Sequence, residues 1–77
     1  MDTEKKDVKS PKKKTVVGEV NCSQLYMREA PSKDSDVLRI LTNKEPVIIE
    51  EGGTEDFYKV INNGLVGYCA KEYITIV

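Results

Sequence analysis

Hydrophobic and polar residues alternate with a period of two over much of the chain after position 14. The clearest case is 25–28, where the pattern predicts a β-strand with Leu25 and Met27 facing inward and Tyr26 and Arg28 facing outward. Short apolar runs predict further strands at 15–22, 37–41, 46–50, 56–61, 65–69 and 73–77. Of these seven segments we expect about five or six to form short strands.

The segments between these runs carry turn-forming residues. Pro31 and the polar residues 32–36 predict a surface loop, Gly52-Gly53 a second turn, and Asn63-Gly64 a tight hairpin with positive φ angles. Residues 70–72 fit one helical turn. A helix also fits 37–41, but so short a run between a proline-bearing loop and Thr42-Asn43 favours a strand. Short strands joined in this way predict an all-β fold, a small barrel whose closure removes exposed sheet edges.

Residues 1–14 differ from the rest of the chain in composition and in charge. They hold six lysines against three acidic residues, a net charge of +3, and too little apolar surface to offset the entropy cost of ordering. Residues 15–77 hold six basic residues against ten acidic ones, a net charge of −4. We therefore predict a disordered lysine-rich leader or linker over 1–14 and one folded domain over 15–77.

The charge and hydrophobicity of the chain also exclude some classes of partner. The acidic folded part argues against nucleic-acid binding, and no apolar run reaches the roughly 18 residues that a membrane span needs. We see no export signal, so the localisation stays open. It is extracellular or in the cell wall if the chain belongs to a larger secreted protein.

Cys22 and Cys69 are the two cysteines, and the chain has no histidine. Neither cysteine lies in a CxxC pair, so the sequence predicts no metal site and no cofactor. Buried thiols are the expected state of both, with a disulfide between them as the alternative. A reactive thiolate needs a basic partner, and none is evident, so we predict that the chain is not an enzyme.

The order of short motifs along the folded part resembles the bacterial SH3 family, the SH3b or SH3_3 type. The family pattern runs G-x-V, L-N-V-R-x-x-P, V-I-x-x-L, W-Y-K-V, an N-G hairpin, G-Y/W-V and s-x-Y-L. The matching segments of this chain are 18–20, 25–31, 37–41, 57–60, 63–64, 67–69 and 71–74. Four positions depart from the pattern. Tyr26 stands where the family usually has Asn, and Phe57 stands where it has Trp. Glu45 stands where a turn Gly is common, and Cys69 stands where Val is common.

The resemblance implies a non-catalytic binding module that acts as a monomer. In this family such modules target bacterial or phage cell-wall proteins to peptidoglycan peptide. The alternative is a protein-protein interaction module in a prophage-encoded or intracellular bacterial protein. A eukaryotic-type SH3 domain that binds polyproline fits less well, because the chain lacks an A-L-Y-D-Y strand and has no tryptophan.

The candidate ligand-binding residues rest on outward strand parity for Tyr26 and Arg28, and on the family resemblance, which places the end of that strand near the loop before Phe57 and the turn leading to Tyr73. They are Tyr26, Arg28, Glu55, Asp56, Phe57 and Tyr73. We expect an aromatic-lined groove whose acidic rim, from Glu55 and Asp56, receives a free amine of the ligand. The alternative for Tyr26 is a surface side chain that packs on a neighbour, and the alternative for the carboxylates is that they are only solvated charges on the loops. Tyr58 shares strand parity with Val60, so we predict a structural role for it.

Overall fold

The structure, a computed structural model, describes residues 15–77, and the predicted disordered leader over 1–14 lies outside the described residues. Seven strands and one short helix follow each other along residues 15–77. They are β1 (Val16–Val20), β2 (Gln24–Arg28), β3 (Val37–Thr42), β4 (Pro46–Glu50), β5 (Phe57–Asn62), β6 (Leu65–Ala70), a 3₁₀ helix (Lys71–Tyr73) and β7 (Ile74–Ile76).

All strand pairs are antiparallel, and the strands form one sheet in the order β3-β2-β6-β5-β4-β1-β7. Every strand contributes a side chain to one buried cluster, so the sheet curls around a common core. This confirms the predicted all-β, SH3-like fold. The described residues form seven strands rather than five or six, because the short segments at both ends of the domain find partners. Strand β1 pairs with β4 on one side and with β7 on the other.

The core consists mainly of aliphatic side chains and one thiol, each almost fully removed from solvent. Its members are Val20, Leu25, Met27, Leu41, Val47, Val60, Cys69 and Ile74. Burial of each large apolar side chain contributes about 1.5–3 kcal/mol, so this cluster is the main source of stability. Leu25 and Met27 face inward and Tyr26 faces solvent, which confirms the alternation predicted for β2.

Residues 37–42 form a strand, so the helical alternative for this segment is wrong. Strand β3 pairs with β2 in register from Gln24–Thr42 to Arg28–Val37, with a bulge between Met27 and Arg28. Only Leu41 of this strand reaches the core, while Leu38 and Ile40 are 40% and 49% exposed. The β2–β3 hairpin therefore packs on the core through one face and leaves an apolar outer face in solvent.

The predicted turns form as the sequence indicates. Asn63 and Gly64 have φ angles of 51° and 83°, which is the left-handed pair that a two-residue hairpin requires. The 3₁₀ helix over Lys71–Tyr73 confirms the predicted helical turn, shifted by one residue. Lys44, in the turn before β4, also has a positive φ of 70°, which was not predicted because lysine rarely adopts this conformation.

A polar cluster, which we call the Asn62 cluster, closes one end of the barrel. The buried Asn62 accepts hydrogen bonds from Arg39 Nη1 at its backbone oxygen (2.9 Å) and at Oδ1 (2.7 Å). Its Nδ2 donates to Glu45 Oε2 and to Pro46 O, both at 3.1 Å. Glu45 Oε1 in turn accepts from the Thr42 backbone N–H and hydroxyl. These bonds lock three strand ends together, because buried polar groups are costly unless paired.

Candidate functional site

Two adjoining cavities form one open groove at the opposite end of β5 from the Asn62 cluster. The first, of about 400 Å³, is lined by Cys22, Gln24, Leu25, Tyr26, Arg28, Lys33, Phe57, Ala70 and Tyr73. The second, of about 620 Å³, is lined by Lys33, Glu55, Asp56, Phe57, Ala70, Lys71, Glu72 and Tyr73. The two cavities share Lys33, Phe57, Ala70 and Tyr73, so we treat them as a single groove.

Phe57 forms the floor of the groove. It begins β5 and is paired with Ala70, which lines both cavities with it. The ring is only 8% exposed even though its strand parity points away from the core, because residues from both cavity walls surround it. Thr54 fixes its backbone, since the Thr54 N–H donates to Phe57 O (2.8 Å) and Thr54 Oγ1 accepts from the Phe57 N–H (3.2 Å).

Tyr26 and Arg28 form one wall, on the outward face of β2. The Tyr26 ring is 47% exposed, and the Arg28 guanidinium lies over it, 5.3 Å from the ring centroid. Arg28 Nη1 also donates a hydrogen bond of 2.8 Å to the backbone oxygen of Ser35. Arg28 therefore ties the loop after β2 to the strand and fixes the ring of Tyr26 beside it.

The loop over 29–36 carries Lys33 to the groove. Its ends are joined by the Glu29 N–H, which donates to Asp36 O at 2.9 Å. Inside the loop, Ser35 Oγ accepts from the Ala30 N–H (3.3 Å) and donates to Ala30 O (2.9 Å). Hydrogen bonds within the loop thus fix the conformation of a polar segment for which the sequence predicted only a surface loop.

The opposite wall is acidic and comes from the loop before β5 and from the 3₁₀ helix. The Lys71 N–H donates to Asp56 O at 2.9 Å, which brings Glu55 and Asp56 next to Glu72. Tyr73 ends the helix, with its ring 41% exposed and its backbone oxygen bonded to the Asn21 N–H at 3.0 Å. Hydrogen bonding to the Glu72 carboxylate, together with its charge, raises the pKa of Tyr73, so the phenol stays neutral at physiological pH.

Both thiols are free, so the disulfide considered as an alternative is not formed in this structure. Cys69 is fully buried, as predicted, and burial, with a smaller contribution from Cys22, raises its pKa to about 12. Cys22 is half-buried rather than buried. It follows the end of β1, lines the groove and donates from Sγ to Gln24 O at 3.3 Å.

All six residues predicted from the sequence line this groove. Sequence reasoning missed Lys33 and Glu72, although Glu72 precedes the predicted Tyr73 and Lys33 lies in the predicted loop. Tyr58 lies outside the groove lining, packs against the core and has the Lys71 ammonium 5.1 Å from its ring centroid. This agrees with the structural role predicted for it.

Residues 15–77 contain no group of three or more Cys, Asp or Glu side chains arranged to hold a metal ion. In the same described region no helix has the length and apolar character needed to cross a membrane.

Comparison with protein families gives a match to the bacterial SH3 domain over residues 23–75, which covers most of the described chain. Comparison with curated proteins gives no match. The family match spans β2 to β7 and includes all the groove residues except Cys22. The chain therefore belongs to the bacterial SH3 domain family, whose members are generally binding modules and are often associated with the cell wall.

Proposed function

We propose that this domain binds a short peptide in the groove and that its target is peptidoglycan peptide. One observation carries the proposal: the aromatic residues that the sequence singles out converge on a single open cavity. Phe57 is its floor, and the half-exposed rings of Tyr26 and Tyr73 lie along its sides. Aromatic rings offer a large, rigid contact surface at low entropy cost, which is typical of peptide-binding surfaces.

The groove fits a small ligand held with modest affinity. Its larger part encloses about 620 Å³ and is open to solvent, so a bound peptide buries little area. The acidic residues Glu55 and Asp56 receive a free amine of the peptide, and the rings contact its backbone. Attachment to a polymeric wall, where the peptide is repeated at high local concentration, then supplies the overall strength of binding.

We also propose that the domain has no catalytic activity of its own on the wall. The chain has no histidine to activate a nucleophile, and the Cys69 thiol is buried with a pKa of about 12. Purified protein incubated with labelled cell walls is expected to release no soluble label above a buffer control. Release in proportion to the protein concentration would contradict this.

A heteronuclear NMR titration of the full chain with a soluble wall peptide tests the binding site. We expect the largest amide shifts around Tyr26, Phe57 and Tyr73. Tyr26→Ala should weaken binding, because it removes one ring of the groove. The matched control is Ile40→Ala, which changes the exposed cross-strand neighbour of Tyr26 outside the groove lining and should leave binding unchanged.

Two other results would contradict the proposal. Shifts confined to amides far from these three rings would show that the site is elsewhere. If no wall fragment shifts any amide, a protein partner becomes the leading candidate for the ligand.

A further inference from the structure

The two walls of the groove carry opposite charges. Arg28 and Lys33 supply positive charge on the side of β2 and its loop. Glu55, Asp56 and Glu72 supply negative charge on the side of the 3₁₀ helix. Lys71 lines the same cavity, but its ammonium lies 5.1 Å from the ring centroid of Tyr58, which is outside the groove lining, so the three carboxylates outnumber the cation on this wall. Phe57 lines both cavities and so lies between the two walls. A ligand on this ring therefore contacts both signs of charge at once.

The charged groups of both walls are available to a ligand. Within the described residues, the side chains of Lys33, Glu55 and Asp56 make no hydrogen bond to another side chain, and all three are exposed. Arg28 uses one guanidinium nitrogen on Ser35 O and keeps its other donors. A charged ligand group can therefore bind these side chains without breaking a hydrogen bond within the domain.

From this arrangement we propose that the groove selects a ligand that carries a free ammonium and a free carboxylate together. The ammonium lies at Glu55 and Asp56, and the carboxylate lies at Lys33 and the free donors of Arg28. The inference rests on the proposed function, because it specifies which form of the wall peptide binds. It adds the carboxylate and the requirement for both charges in one ligand.

The requirement for both charges in one ligand distinguishes wall peptide that is cross-linked from wall peptide that is not. A cross-link is an amide bond between the side-chain amine of one peptide and a carboxyl group of another, so its formation removes one charge from each. A peptide that has not been cross-linked keeps both its ammonium and its terminal carboxylate. The domain would therefore bind wall that is not yet cross-linked, or where cross-links have been cut, in preference to finished wall.

The test uses one synthetic stem pentapeptide in four forms, with lysine as its third residue. The N-terminus is acetylated and the glutamate α-carboxyl is amidated in all four. The lysine amine is free or acetylated, and the C-terminal carboxyl is free or amidated, in every combination. Calorimetric titration against the full chain should give tightest binding for the doubly free form, with about a tenfold loss for each blocked group, as expected for loss of a charged hydrogen bond.

Variants assign each charge to its wall. Lys33→Ala should reduce the difference between the free and amidated carboxyl to the part that Arg28 supplies, while keeping the effect of the amine. The double variant Glu55→Gln with Asp56→Asn should do the reverse. Glu50→Gln is the matched control, because this exposed carboxylate on β4 lies outside the groove lining, and it should change neither ratio.

The outcomes separate this inference from the proposed function. If all four forms bind equally and Tyr26→Ala weakens each of them, the groove binds wall peptide but does not select for charge, and the inference is wrong. If only the amine matters, the carboxylate part is wrong. If no form binds, the proposed function itself fails.

Discussion

Charged and polar side chains surround both ends of strand β5, but they are hydrogen-bonded to each other at one end and exposed to solvent at the other. At the Asn62 end, Arg39, Asn62 and Glu45 are joined by short hydrogen bonds, and the amide of Asn62 is buried. At the Phe57 end, Lys33, Glu55 and Asp56 remain in solvent around exposed rings. Paired polar groups hold a fold together, whereas unpaired ones beside an apolar cavity are free to bind a ligand. The two ends thus differ in whether their polar side chains have hydrogen-bond partners, and not in the types of residue they carry.

The largest expected effect is on the stability of the paired end. Asn62→Ala leaves Arg39 without one acceptor and Pro46 O without its donor, so the free energy of unfolding should fall by about 2–3 kcal/mol. Urea unfolding followed by circular dichroism measures this. The matched control is Asn43→Ala, an exposed asparagine in the turn after β3, which should cost under about 0.5 kcal/mol. Equal losses in the two variants would contradict the comparison.

The second effect separates two tyrosines at the groove end of the molecule. Tyr58 packs against the core, so Tyr58→Ala should lower the free energy of unfolding by about 2 kcal/mol. Tyr26 is half-exposed, so Tyr26→Ala should leave the thermal midpoint nearly unchanged and weaken peptide binding instead. Thermal melts and the NMR titration on both variants test this. A stable Tyr58→Ala protein that no longer binds would reverse the two roles.

A third effect concerns the hairpin turn next to Asn62. Gly64 has a φ of 83° and open space around its missing Cβ, so any cost of substitution comes from the backbone alone. Gly64→Val should destabilise by over about 1 kcal/mol, while Gly64→Asn should cost less because asparagine tolerates the left-handed region. Chemical unfolding of the pair measures the difference. If both variants match the wild-type protein, backbone strain in this turn does not contribute.

The last effect vanishes at neutral pH, where the other three are measured, and appears only at alkaline pH; it reports on the buried core. Burial raises the pKa of Cys69 from 9.0 to about 12, so the unfolded thiol ionises at lower pH than the folded one. The contribution of the neutral Cys69 thiol to the free energy of unfolding is therefore complete below pH 9 and is lost as the pH rises towards 12. Cys69→Val should flatten this decline by on the order of 1 kcal/mol per pH unit, relative to wild type and to a Cys22→Ser control. Parallel curves for all three proteins would contradict it.

Local patterns made most of the fold predictable. The alternation over 25–28 gave the correct sides for Leu25, Met27 and Tyr26, and Asn63-Gly64 gave the turn, because both signals arise from neighbouring residues. The groove residues followed from the family's order of motifs. Their roles as ligand contacts remain a prediction.

What the sequence did not reveal depends on distant pairing. Arg39 and Asn62 are 23 residues apart, and nothing in either neighbourhood indicates that they meet. The sequence also did not reveal that Phe57 is almost buried, because the residues that line the cavity with it come from the 3₁₀ helix and from the loop over 29–36. Arg28 lies in the groove as predicted, yet one of its donors is already bound to the loop.

The two walls and the floor of the groove differ in how they are attached to the sheet. The β2–β3 hairpin joins the rest of the sheet through a single backbone pairing, Arg28 with Tyr68, whereas β5 and β6 pair along six residues. The positive wall of the groove is thus attached mainly by side chains in the core, and the floor by continuous hydrogen bonds. In hydrogen-deuterium exchange we expect the amides of β2 and β3 to exchange through local opening well before those of β5 and β6. A ligand that bridges the walls would slow the first set alone, so its binding energy is partly used to hold the hairpin closed.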